Sequence, residues 1–216
     1  MSLKEGTYER MQMNVFYNRE GIGDVLMVLL KEGERHHQSV ERVRDVAIIK
    51  SVDGEVNGYN LFEASQHFDV SEWNGPVDLT AELVEQLRAV LSDNGIEEDF
   101  SWADVTPKFV IGYVESAEKH PDADKLSICQ VQIDQGTVQI VCGAPNVATG
   151  QKVVVAKPGA VMPTGLIIRP SALRGESSHG MICSARELNL PNAPQEKGIL
   201  VLDDEYEVGT AFEIGR

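Results

Sequence analysis

Four sets of side chains in the second half of the chain have types and spacings that could do chemistry. The first is cationic. Lys152, Lys157, Arg169 and Arg174 recur at short intervals, with Lys125 ahead of them, and ammonium and guanidinium groups that cluster in the fold can neutralise phosphate whatever the net charge of the whole molecule. Polar and soft groups stand among them. Asn146 carries an amide that could satisfy its own loop backbone or an RNA group, and the Ser178 hydroxyl suits a phosphate or a 2′-hydroxyl. Met181 could pack on a base or sugar, or join the core. The second set is Cys142, which lies between a strand-like run and Gly143, as a nucleophile could. A thiol needs a base to become a thiolate, and no histidine lies within Ile140 to Asn146; His120 and His179 could reach it only through the fold. A buried thiol at a strand end is the better reading. The third set, Cys142, His179 and Cys183, could in principle ligate zinc but lacks CxxC spacing. The fourth is Asp122 and Asp124, which read as turn residues because a divalent cation would need oxygen ligands this segment does not identify. No catalytic set assembles, and no metal or cofactor is implied.

The elements that must position these groups are short strands. Phe109 to Val114, Leu126 to Ile133, Thr137 to Cys142, Lys152 to Ala156 and Leu166 to Ile168 are β-rich and separated by Gly, Pro, Asp or Asn, as in a small closed or partly open barrel. Lys157 precedes two turn-forming pairs, which predicts an ammonium on the barrel rim. The first half reads differently. Asp24 to Leu30 and Val43 to Ile49 suggest strands, and Asp53-Gly54 marks a hairpin into Glu55 to Phe62. Thr80 or Asp78 can cap a helix whose Leu83, Val84, Leu87, Val90 and Leu91 share one face and which Asn94-Gly95 stops.

The predicted organisation is therefore a leader at residues 1–12, an acidic α+β domain at 13–100, a linker at 101–108 containing Pro107, and a β-barrel domain at 109–216. MSLKEGTYERMQ is polar and aperiodic. Its Lys-Glu-Gly can be encoded by a purine-rich stretch like a ribosome-binding site, which makes Met11 or Met13 an alternative start, beside an ordinary disordered terminus. The formal charge of −15 is uneven. Residues 1–106 hold 9 bases and 21 acids, a net −12, whereas residues 107–202 come to +1. A general nucleic-acid binder would carry a basic surplus, so any grip on RNA must be local. The three cysteines, with no signal-peptide or membrane-spanning pattern, suit free thiols in a cytoplasmic protein.

Several ordered motifs carry a family resemblance: HPDADKL (120–126), IVCGAPN (140–146), KPGAVMPTG (157–165) and LRGESSHGMICSARELNL (173–190). Together they resemble the tRNA-binding oligonucleotide-binding (OB) fold domain. That domain is found in the endothelial-monocyte-activating polypeptide, at the C-terminus of many methionyl-tRNA synthetases and in the phenylalanyl-tRNA synthetase β-chain. Ser178-His179-Gly180-Met181 is similar to its SxGM signature. Such a domain behind a small acidic one, with the start MNVFYNREGIGDVL, resembles the bacterial YtpR family of tRNA-binding proteins. The resemblance implies binding of tRNA or other structured RNA without catalysis, through Lys125, Asn146, Lys157, Arg174, Ser178 and Met181. Residues 108–202 contain only Phe109 and Tyr113 as aromatics, so the expected mode is phosphate and shape recognition rather than base stacking. The alternative is a protein-interaction module docking to an aminoacyl-tRNA synthetase or translation factor. By analogy with related barrels, a homodimer would raise avidity.

Overall fold

Apolar residues alternate through most of the short segments of both halves, and the structure, a computed structural model describing residues 12–34 and 36–214, pairs these segments into antiparallel sheets. The chain divides into two compact units, the break falling between Thr106 and Pro107. Both are mostly β, with few helices. Met11 and the rest of the leader before Gln12 lie outside the described residues; Met13 is buried in a hydrophobic core. Among the described residues no helix is long and apolar enough to cross a membrane.

In the first unit, β1 (Asn14–Tyr17), β2 (Val25–Leu29), β3 (Gln38–Val43), β4 (Val46–Ser51), β5 (Val56–Phe62) and β6 (Gly75–Val77) form one sheet in the order β3-β4-β5-β2-β1-β6. A short α1 (Arg19–Ile22) joins β1 to β2, and α2 (Ala81–Asp93) follows the sheet. One stripe of α2, formed by Leu83, Val84, Leu87, Val90 and Leu91, is buried in a core with Val15, Leu26, Val28, Val46, Ile48, Tyr59 and Leu61. The helix begins where its capping chemistry places it: Thr80 Oγ1 accepts from Leu83 N at 3.1 Å. It ends before Gly95, whose φ of +81° suits a residue without a Cβ. The strand predicted between Val43 and Ile49 is instead two strands, β3 and β4, that turn at Arg44-Asp45.

The second unit contains β7 (Phe109–Lys119), β8 (Ser127–Ile133), β9 (Gly136–Cys142), β10 (Lys152–Ala156), β11 (Ser171–Leu173), β12 (Glu176–Ser178), β13 (Met181–Ile182) and β14 (Val201–Leu202). Its main sheet runs β13-β10-β7-β8-β9, with β14 also on β10 and β11 paired with β12. The run Lys152-Val-Val-Val-Ala156 is apolar almost throughout because β10 serves two cores. Val153 and Val155 join Val110, Val114, Val131 and Ile140, while Val154 and Ala156 join Phe109, Met162, Ile168 and Leu188.

Four of the five strands predicted in this unit are present, and the fifth differs. Leu166 to Ile168 makes only an isolated bridge, Val161 to Ile167, in a segment interrupted by Pro163, Gly165 and Pro170. Besides β7 and β14, β10 pairs with β13, which begins at Met181, the last residue of the SHGM signature. The hydrogen-bonded path is an open sheet rather than a closed barrel, with β13 and β9 at its ends. The segment leading into β13 is tied to β9 by His179 N donating to Gln139 O at 2.8 Å and Val141 N donating to Ser178 Oγ at 3.1 Å.

Candidate nucleic-acid interface

Strict alternation along β8 sends Cys129, Val131 and Ile133 into the core and leaves Gln130 and Gln132 on the other face. Gln130 pairs in register with Gln139 of β9, and its Nε2 donates to Gln139 Oε1 at 3.1 Å. Gln139 Nε2 in turn donates to Ser177 O at 2.9 Å, so the β11–β12 hairpin is fastened beside a glutamine-lined sheet face. Amides arranged this way present both donors and acceptors to a polar ligand.

The same hairpin is held to the 120–126 loop by one buried side chain. His120 is 4% exposed. Its Nδ1 accepts from Asp122 N at 3.0 Å, which leaves Nε2–H to donate to Leu173 O at 3.3 Å. The loop closes on itself through His120 N to Leu126 O at 2.9 Å and Leu126 N to Ala123 O at 3.0 Å. His120 thus brings the loop of Lys125 against the residue that precedes Arg174.

Of the six predicted site residues, two present free charge here. Lys125 and Arg174 are exposed, and neither has a partner among the described residues; Lys119, at the end of β7, is in the same condition. Arg174 sits at the tip of the hairpin with φ +52°, followed by Gly175 at +92°. Glu118, Asp122, Asp124 and Glu176 belong to the same elements, so this surface carries no basic surplus.

The other four residues are engaged by the fold. Lys157, expected on the rim, is 3% exposed, and its Nζ lies 2.7 Å from Asp134 Oδ2. Its stem leaves β10 towards the β8–β9 turn, where the carboxylate compensates the buried charge. Ser178 is 2% exposed; its Oγ accepts from Val141 N and donates to Gly180 O at 3.3 Å. Asn146 takes the backbone role left open for it: its Oδ1 accepts from Ile199 N at 2.8 Å and its Nδ2 donates to Ile199 O at 3.1 Å. Met181 is half-buried against the Phe109 and Leu188 cluster. Gly180 does permit a close backbone approach, but to β10: a Cβ there would stand 2.8 Å from Ala156 O, at φ +131°.

The cysteine readings resolve through burial. Cys129, Cys142 and Cys183 are all buried free thiols. Desolvation pushes Cys129 and Cys183 up to about 12 and raises Cys142 as well, despite a backbone hydrogen bond from Ala144 that acts the other way. A thiol so held is not a nucleophile near neutral pH. The described residues contain no cluster of three or more His, Cys, Asp or Glu able to hold a metal.

An antiparallel unit with a polar outward face flanked by two tethered loops has the form of a nucleic-acid-binding β domain. Residues 109–211 match the family model described as "Putative tRNA binding domain", and residues 33–103 match a domain of unknown function, DUF4479. The chain is 54% identical over 202 residues to a Bacillus subtilis protein described as "Putative tRNA-binding protein YtpR", covering 93% of this chain and 100% of that one. The chain belongs to that YtpR family. It is also 49% identical over 145 residues to the phenylalanine–tRNA ligase beta subunit of Oceanobacillus iheyensis, an alignment covering 63% of this chain and 18% of that subunit. The corresponding subunit of Nitratidesulfovibrio vulgaris is 50% identical over 115 residues, 53% of this chain and 14% of that subunit.

Proposed function

We propose that this protein binds tRNA in the cytoplasm through its second unit, read as an OB barrel completed between β9 and β13, and catalyses no reaction. The observation that carries the reading is the His120 bridge, which holds the Lys125 loop and the Arg174 hairpin together beside the Gln130–Gln139 face. Strands two and three with the adjoining loops are where OB folds take oligonucleotides. The family match and the tRNA-binding description of its Bacillus subtilis member support the same ligand. Lys119, Lys125 and Arg174 meet phosphates, while the outward glutamines meet sugar or base edges.

Filter-binding titration with total tRNA tests this. These three contacts alone, at a slope of about 0.7–0.9 each, contribute a loss of about 20- to 40-fold in affinity for a fourfold rise in salt. The balance of acids on the same surface favours a second reading, in which this face docks to an aminoacyl-tRNA synthetase or translation factor. Absence of saturable tRNA binding at low salt would select it.

A further inference from the structure

Beyond the face just described, a cavity of about 210 Å³ opens between the β9–β10 loop and the segment that follows β13. Arg186, Lys197, Glu196, Ser184, Pro194 and Ile199 are among the residues lining it, and Asn146 closes one side. Arg186 and Lys197 are exposed, and neither side chain has a hydrogen-bond or ion-pair partner among the described residues. The nearest acid to Arg186 in sequence is committed elsewhere: Glu187 Oε2 accepts from Ser184 N at 2.8 Å and from Ser184 Oγ at 2.7 Å. With Glu196 counted, the charged lining is still net positive.

The walls are held in place. Asn146 grips Ile199 through both atoms of its amide, and Gly198 passes so close that a Cβ would stand 2.9 Å from Asn146 Oδ1. The β9–β10 loop that walls the pocket also begins against the Lys125 loop. Gly143, three residues before Asn146, is placed so that a Cβ there would stand 3.4 Å from Leu126 Cδ2 and 3.9 Å from Lys125 O. A chain of phosphates gripped at Lys125 would therefore lead along the start of the β9–β10 loop towards Arg186 and Lys197.

We infer that this cavity is a second phosphate subsite, in which Arg186 and Lys197 hold a backbone phosphate of the bound RNA while the Pro194 and Ile199 wall receives its sugar. The inference rests on the tRNA-binding reading above. The pair of cations supplies charge, and Asn146 acts as a positioning residue for the segment that carries Lys197.

The test pairs the full-length protein with its Arg186→Gln/Lys197→Gln variant. In the tRNA salt titration, loss of two contacts should lower the slope of log K against log salt by about 1.4–1.8, a loss of about 20-fold near 0.15 M salt. Circular dichroism and melting should be unchanged, because neither side chain has a partner to lose. Equal slopes for the two proteins would overturn the subsite while leaving tRNA binding intact. The second arm titrates inorganic phosphate and follows amide NMR signals. Saturable shifts at Arg186, Lys197 and Gly198 in the wild type, absent in the variant, are expected. Such shifts together with equal tRNA slopes would assign the cavity to a free anion and overturn the RNA proposal. If the wild type binds no tRNA, the functional reading fails; phosphate shifts then preserve an anion site, and their absence removes it.

Discussion

Replacing Arg174 by asparagine should move stability and RNA binding in opposite directions. Leu173 pairs with Glu176 across a two-residue turn whose central residues, Arg174 and Gly175, have φ of +52° and +92°. That is the left-handed geometry of the tightest hairpins, in which Asn-Gly is favoured and a long L side chain is strained by roughly 1–2 kcal/mol. Arg174 has no partner among the described residues, so the substitution sacrifices no contact within the fold. Asn tolerates the conformation better, and a gain of up to about 1 kcal/mol follows. For a unit of this size that corresponds to a rise in melting temperature of at most about 4–8 °C. On the proposed binding mode, the same change removes one phosphate contact. The salt slope should fall by about 0.7–0.9, and the Kd for tRNA near 0.15 M salt should rise about fivefold. Calorimetric melting and filter binding on the same two proteins read both quantities. A variant less stable than the wild type would refute the strain argument; unchanged affinity and slope would remove Arg174 from the interface.

Other substitutions separate structural cations from those proposed to bind. Lys157→Ala leaves Asp134 without its buried partner and should cost about 3 kcal/mol in urea unfolding, whereas Lys125→Ala should shift the curve by less than about 0.5 kcal/mol. Asn146→Ala removes both hydrogen bonds to Ile199 and should cost roughly 1–2 kcal/mol, with faster hydrogen exchange at the Ile199 amide. The three buried thiols should resist iodoacetamide at pH 8 in the folded protein and label fully in denaturant. Because burial raises their folded pKa values above the ordinary thiol range, the stability they contribute is complete below about pH 8.5. It is lost as pH climbs towards about 12, so a unit whose stability is flat across that range would contradict their burial.

Much of the fold was legible because it follows from local chemistry. The apolar stripe at Leu83, Val84, Leu87, Val90 and Leu91, bounded by Thr80 and Gly95, reports a helix whatever lies around it. β-rich composition between turn residues located β8, and the Asp53-Gly54 turn located the β4–β5 hairpin. The period-two alternation along β8 could have identified Gln130 and Gln132 as outward-facing, a signal that counting cations passed over. The β13 pairing was not legible, because two residues in a glycine-bearing signature carry no periodicity and become a strand only when β10 offers its edge.

The sequence by itself determined the family, through the order of the HPDADKL, IVCGAPN and SHGM motifs, and with it the expectation of RNA. It determined also that charge is concentrated in the first unit, since counting needs no coordinates. Only the tertiary structure decided which members of the site set are available. Lys125 and Lys157 are indistinguishable as letters, yet one ends in solvent and the other meets Asp134, 23 positions away. Asn146 and Ser178 have polar groups that any ligand could use, but Ile199, Val141 and Gly180 reach them first. The physical reason is that a side chain's partner is set by what the chain folds against it. Burial of a polar group demands such a partner, and a motif rich in polar residues therefore supplies most of them to the fold, leaving few for a ligand.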